Sequence, residues 1–320
     1  MIKAVPTVWV LADDQPGNAA QCMGVAEALG FPFVTKTIRY TRWAMLPNWA
    51  LGPSLRGVRA DSRAELAAPW PDLVIAAGRR TAPVARWIGR RSGARLVQVM
   101  DPGPGGRGDF ALIAVPGHDD TPPKGANVMV TSGAPHRVTP ERLRAAAAQW
   151  LPRLEHLPRP WVAVLVGGDT GRRRFTAAMA RELGHLAGGL ADGGSVLATT
   201  SRRTSAEAEA ALIEALPAQG FVHRWRDGGD NPYFGFLALA DAVVVTGDSV
   251  SMACEACAVG VPVHVYAPAG WVVSKHARLH ADLFRSGHAQ LLAAGRGLGR
   301  ATGGPPLNVA ATIAAAIREL

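Results

Sequence analysis

Cysteine is scarce in this chain. Its three residues, Cys22, Cys254 and Cys257, cannot pair completely, which excludes a disulfide-stapled scaffold and suits a reducing compartment. Cys254 and Cys257 form a C-x-x-C, but no second ligand pair accompanies it for zinc and a redox motif sits elsewhere in its usual fold; they read as small apolar residues on one helix face. Long apolar runs are missing as well: no stretch approaches the roughly 18–20 residues of a membrane-spanning helix. The opening MIKAVPTVWVLADDQPG has neither the apolar core length nor the cleavage site of a signal peptide. Acids are outnumbered, 25 against 34 basic residues, giving a net charge of +9, and only Lys3, Lys36, Lys124 and Lys275 of the basic set are lysine. That balance favours anionic partners, whether phosphorylated substrates or an acidic membrane surface. Without a zinc finger, an aromatic RNA-binding signature or a compact Lys/Arg block, no nucleic-acid partner is expected. The cytoplasm is the expected compartment, with peripheral contact at the inner membrane surface.

What is present is the composition of a globular protein: 320 residues, 48% hydrophobic and 18% charged, with room for two domains. Short apolar runs alternate with alanine-rich amphipathic segments, the pattern of parallel α/β sheets. Strands are expected at 6–11, 33–38, 73–76, 96–99, 111–115 and 128–130, with helices at 18–29, 81–91 and 140–150. In the second half strands fit 161–166, 195–199, 242–246 and 262–266, and helices fit 174–187, 205–216, 249–259 and 277–286. The proline-rich LPRLEHLPRP, residues 151–160, marks the join. The expected architecture is therefore two Rossmann-like doubly wound domains facing across a cleft. The first spans residues 1–155 and the second spans 156–307. A last helix, 308–320, is expected to pack back on the first domain.

The densest chemistry lies in the second half. The turn Thr246-Gly247-Asp248-Ser249-Val250-Ser251-Met252 falls between a buried strand and a helix, where unpaired N–H groups and the helix dipole suit a phosphate. Glu255 lies six residues beyond Ser249 and four beyond Ser251, placed for a carboxylate to reach a ribose diol. Gly167-Gly168-Asp169-Thr170-Gly171 follows an earlier strand and leads to Arg172, so paired glycines and cations coincide. Ser201 and Arg202 end the next strand among hydroxyls and guanidiniums; arginine's planar fork holds phosphate from two donors. Asn231 and Tyr233 precede a helix and stand ready to stack or hydrogen-bond beside a nucleotide. Gly103-Pro104-Gly105-Gly106-Arg107-Gly108 matches G-x-G-x-x-G, but a strand rather than a helix follows, so it reads as a loop.

In the first half Asp13, Asp14, Gly17, Gly78, Arg79, Arg80, Asp101, His118 and Asp119 all follow strands and should share one rim. A general base for an acceptor hydroxyl is a carboxylate or His, which makes Asp14, His118 and Asp119 the candidates. No D-x-D and no metal-spaced cluster occurs, so no metal and no cofactor is expected beyond the donor itself. Arg42-Trp43-Ala44-Met45-Leu46-Pro47-Asn48-Trp49 suits either a membrane interface or a packed connecting helix, and the packed helix fits better.

VWVLADDQPGNAAQCMGVAEALG, PDLVIAAGRR, LVQVMDP, TTSRRT and GDNPYFGFLALADAVVVTGDSVSMACEA together resemble the bacterial branch of the elongated-mitochondria fission family, over nearly the full length. That resemblance implies the two-domain GT-B arrangement of glycosyltransferases, with the first domain on the acceptor side and the second on the nucleotide-sugar side. It implies the donor diphosphate at Gly168, Ser249 and Ser251 and the ribose at Glu255. The expected activity is metal-independent transfer of a sugar from a nucleotide-diphosphate donor to an anionic, cell-envelope or lipid-linked acceptor. A nucleoside-diphosphate-sugar epimerase and a non-catalytic adaptor of the fission type are the alternatives.

Overall fold

A computed structural model describes residues 5–119, 123–295, 297–299 and 305–320. The chain divides into two compact units, Met1–Arg137 with Asn308–Leu320, and Val138–Leu307. Unit 1 carries β1 (Val8–Ala12), α1 (Pro16–Leu29), β2 (Phe33–Thr37), α2 (Asn48–Leu51), α3 (Ala60–Ala64), β3 (Leu73–Ala77), α4 (Ala82–Ser92), β4 (Arg95–Val99), β5 (Leu112–Pro116) and β6 (Val128–Thr131). Its strands are parallel in the order β2-β1-β3-β4-β5-β6, with Val8 opposite Phe33 on one side and Leu73 on the other. β1, β3 and β5 bury every residue, as strands covered by helices on both faces must. Pro16 opens α1 where its missing N–H has no partner to lose.

Unit 2 uses another strand order. It runs through α5 (Pro140–Leu154), β7 (Trp161–Leu165), α6 (Ala177–Ala191), β8 (Ser195–Thr199), α7 (Ala206–Ala215), β9 (Gly220–His223) and α8 (Tyr233–Leu239). β10 (Ala242–Thr246), α9 (Val250–Ala256), β11 (Val263–Tyr266), α10 (Ser274–Arg285) and β12 (Gln290–Leu291) complete it. The parallel sheet reads β12-β11-β10-β7-β8-β9. Thr139, Thr176 and Ser205 cap α5, α6 and α7 by accepting N–H bonds from Arg142, Met179 and Ala208. The terminal helix α11 (Val309–Arg318) belongs to unit 1 and packs on α1, and Arg318 donates to the carbonyls of Ala28 (2.9 Å) and Leu29 (3.0 Å).

The structure differs from the sequence reading at the join. The division falls at Arg137/Val138, and α5 continues through Pro152 to Leu154 within unit 2. Trp150, 3% exposed, meets Phe221 at 5.9 Å and Phe236 at 6.2 Å edge-on, while Leu154 is fully buried. Burial of those two side chains offsets the helix bond that Pro152 cannot make. The sequence pattern marks neither strands β9 and β12 nor the short helix α3. The Gly103–Gly108 loop leads through a 3-10 turn, Arg107–Asp109, into β5, so no helix follows the glycines. Among the described residues no helix is long and apolar enough to cross a membrane.

Candidate functional site

In a doubly wound sheet the crevice for ligands opens where the strand order reverses, beyond the carboxyl ends of the strands. Unit 2 reverses between β7 and β10, and three loops meet there: 166–170 after β7, 200–204 after β8 and 247–249 after β10. They are locked together. Gly167 N–H donates to Thr246 Oγ1 (2.7 Å), and Gly168 N–H donates to Asp248 Oδ2 (3.0 Å). The Gly167 carbonyl accepts from Thr204 Oγ1 (2.7 Å) and from the Ser201 hydroxyl. Arg203 pairs with Asp248 Oδ2 at 2.5 Å and donates to the Asp169 carbonyl (2.9 Å) and Thr170 Oγ1 (2.7 Å).

This changes the part the glycines play. The Gly168 N–H is engaged by Asp248 rather than left bare toward a phosphate. A Cβ on Gly167 would lie 2.2 Å from the Asp248 carboxylate, and one on Gly168, at φ +136°, would lie 2.2 Å from the Arg203 carbonyl. The glycines permit the loops to close on one another. Asp169 is held below the usual carboxylate range: burial pushes it up, but the Phe175 N–H (2.8 Å), Arg174 (2.5 Å) and Arg203 more than offset that.

One polar atom beneath the switch point is left unmet. The Asp248 side chain is 3% exposed, and its Oδ1 is buried without a hydrogen-bond partner among the described residues. Arg172 and Arg202 are exposed on the flanking loops. Ser249 caps α9, accepting from Met252 N–H (3.4 Å), and Ser251 and Met252 sit half-buried on its first turn.

Two residues beyond the named site candidates complete the site. One is Arg203, next in sequence to the candidate Arg202. The other is His276 on the first turn of α10, half-buried, which burial holds below the usual His range while Asp248 opposes that and Lys275 and Arg203 add to it. Its imidazole is therefore neutral at neutral pH. The strand-end rule applied to the loop after β11 points to His276, since α10 starts from that loop.

Glu255 is not bare either. Tyr233 donates its hydroxyl to Glu255 Oε2 at 2.5 Å, joining α8 to α9. Burial holds Glu255 above the usual carboxyl range against the opposing Tyr233 bond and Arg142, and pushes the Tyr233 hydroxyl well up. Asn231 is exposed and accepts from Tyr233 N–H at 3.0 Å, a local turn bond.

Unit 1 reverses between β1 and β3. Asp13, whose side chain is fully buried, accepts from Gln15 N–H (2.9 Å) and Asn18 Nδ2 (3.0 Å) and pairs with Arg80 at 3.3 Å. Arg80 also holds the exposed Asp14 and lies 4.7 Å over the Tyr40 ring. Gly17 is exposed on the first turn of α1. The three base candidates do not converge. β5, which carries His118 and Asp119 at its end, lies three strand spacings from β1, about 14 Å. His118 is 1% exposed and so shut away from an acceptor; Asp119 is half-buried. Asp14 alone stands at the switch point. Among the described residues no group of three or more His, Cys, Asp or Glu is placed to hold a metal ion.

Comparison with known proteins bears on both units. The chain is 32% identical over 272 residues to the Mitochondrial fission protein ELM1 of Arabidopsis thaliana, covering 78% of this chain and 64% of that one. It thus spans somewhat under two thirds of that relative's length. Among solved structures, the glycosyltransferase SnogD from Streptomyces nogalater superposes with a TM-score of 0.54 at 16% identity, over 96% of this chain and 93% of SnogD. The UDP-GlcNAc 2-epimerase from Methanocaldococcus jannaschii superposes at 0.51 and 11% identity, over 98% and 100%. The fold is that of GT-B glycosyltransferases and epimerases. Since residues 16–320 match the family described as Mitochondrial fission ELM1, the chain belongs to that family.

Proposed function

We propose that this protein is a GT-B glycosyltransferase that takes a nucleotide-diphosphate sugar at the β7/β10 switch point of unit 2. The observation that carries the reading is the interlocked floor of three strand-end loops around Asp248, built where a doubly wound sheet takes its ligands. Arg172 and Arg202 meet the diphosphate, with Ser249, Ser251 and Gly247 at the lip of α9. These cations stabilise the leaving diphosphate as charge develops on it, without calling on a metal. Glu255 Oε1 meets the ribose, because Oε2 is occupied by Tyr233. Asp248 holds the three loops together beneath the donor, and neutral His276 stands beside it. On unit 1, Asp14 is the base for an acceptor hydroxyl and Arg80 orients it. The acceptor is of cell-envelope or lipid-linked type, in keeping with the net charge of +9.

The likeness to UDP-GlcNAc 2-epimerase keeps one second reading in view. An epimerase turns over donor with no acceptor present, so incubation with nucleotide sugar alone separates the two. The test of the site itself is thermal unfolding of the full chain with uridine, guanosine and thymidine diphosphates. A site filled at a hundredfold excess over Kd gains about 2.7 kcal/mol. Arg202→Ala should reduce the gain, and no shift with any nucleotide would refute the reading.

A further inference from the structure

The segment joining β2 to α3 presents a face that the chemistry above does not use. Four large apolar side chains are exposed within seven positions: Trp43 (55%), Met45 (75%), Leu46 (40%) and Trp49 (68%). The packed connecting helix expected here is absent; a 3-10 turn, Arg42–Met45, leads to the single turn of α2. The segment is nonetheless built. Arg79 donates to the carbonyls of Leu46 (2.7 Å) and Ala44 (3.0 Å), and Asn48 donates to the carbonyls of Arg79 (2.7 Å) and Pro102 (2.6 Å). Ala44 and Asn48 are buried, at 4% and 3%. Those bonds satisfy the inward polar groups and turn the apolar side chains outward.

Cations accompany the apolar face. Beside it a groove of about 520 Å³ is walled by Trp43, Leu46, Leu51 and Leu55 together with Arg56 and Arg63, and no acid lines it. Arg42 is exposed with its guanidinium 5.7 Å over the Trp43 ring. Clustered apolar surface marks an interaction site, and tryptophan with arginine is the composition that settles at a bilayer's headgroup level. A second copy of the same face would set like charges against one another, whereas anionic lipid complements them.

We propose that Trp43, Met45, Leu46 and Trp49, with Arg42 and Arg56, dock unit 1 on an anionic lipid bilayer. The tryptophan rings enter the headgroup layer and the guanidiniums meet lipid phosphates. Docking uses unit 1 alone and occurs whether or not unit 2 takes a nucleotide sugar; only its bearing on a lipid-borne acceptor rests on the transferase reading. There, Arg79 holds this face and Arg80, the next residue, grips Asp13 and Asp14, so docking would set the β1/β3 rim near the lipid.

Flotation of the full chain with vesicles of phosphatidylcholine, alone or mixed with phosphatidylglycerol, tests it without nucleotide. Binding is expected on the anionic vesicles only and should weaken at high salt. Trp43→Ser with Trp49→Ser should lower the partition coefficient at least about tenfold, and Arg42→Gln or Arg56→Gln about fivefold each. Thermal shifts with nucleoside diphosphates should be unchanged in all of these variants, which separates a failure here from a failure of the donor site. On the unaltered protein, brominated anionic lipid should quench tryptophan emission. Equal partition of parent and double variant, or equal binding to neutral vesicles, would overturn the proposal. So would a parent dimer that the Trp variants dissociate, since that assigns the face to a second copy.

Discussion

Replacing Arg203 by methionine probes the lock that holds the switch-point loops. The guanidinium meets Asp248 at 2.5 Å, and the Asp248 side chain is 3% exposed. Removing one partner of a buried ion pair costs about 3–5 kcal/mol, because the remaining charge is left unpaired. Arg203 is itself 38% exposed, so water reaches part of the gap and the expected loss falls to about 2–3 kcal/mol. Asp248→Asn keeps an acceptor for the Gly168 N–H, and in the double variant no charge is stranded. The double variant should therefore be more stable than the sum of the singles implies, by about 1.5–2.5 kcal/mol. In a unit of about 170 residues each kcal/mol moves the melting point by roughly 2–4 °C, so Arg203→Met should lower the unit 2 transition by roughly 4–12 °C in calorimetry. Hydrogen exchange at the Gly168 amide should quicken in the same variant. Additivity of the two single variants to within about 0.5 kcal/mol would refute the lock.

Gly168→Ala drives a Cβ to 2.2 Å from the Arg203 carbonyl at a positive φ, and should destabilise unit 2 by about 2–4 kcal/mol in urea unfolding, whereas an effect under about 0.5 kcal/mol would contradict the close approach. Trp150→Ala should cost about 3–5 kcal/mol and move the unit 2 transition; displacement of the unit 1 transition instead would return α5 to the first unit. Glu255, held up by burial, binds more protons folded than unfolded between its unfolded pKa of about 4.3 and its raised folded one, so stability falls as pH rises through that window. Glu255→Gln removes this term, and its melting point relative to the parent should climb from about pH 4 and then level off; a difference flat with pH would argue against burial as the cause. Tyr233→Phe should weaken nucleoside diphosphate binding severalfold by releasing the Glu255 carboxylate, and unchanged affinity in calorimetry would remove the pair from the site.

Much of the fold was legible because the buried strands are short and apolar on both faces: WVAVL, AVVVT and LVIAA admit little else. The strands that escaped notice show why the rest was not. β9 is half-buried throughout and β12 has two residues, so neither leaves an apolar run. Prolines 152, 158 and 160 mark a break that the fold does not make there, because Trp150 packs on Phe221 and Phe236, which are 71 and 86 residues away in sequence.

The same limit shaped the site. Its loops were found from glycine, hydroxyl and arginine content at strand ends, but not which neighbour does what. Arg202 and Arg203 are indistinguishable by type, and only the folded loop sends one to Asp248 and leaves the other exposed. Likewise Glu255 reads as a free carboxylate until Tyr233, 22 positions upstream, is seen to occupy one oxygen. His118 reads as a rim residue, yet its ring is buried at the end of a strand remote from Asp14. Strand order, which sets that distance, is not written in any local pattern.

Hydrogen–deuterium exchange of the full chain, with and without the nucleoside diphosphate that gives the largest thermal shift, tests the central claim most directly. Bound nucleotide should slow exchange in 167–170, 201–204 and 247–255 together, the three loops that meet at Asp248. Slowing confined to unit 1, or none in those three segments at saturating nucleotide, would contradict the donor site.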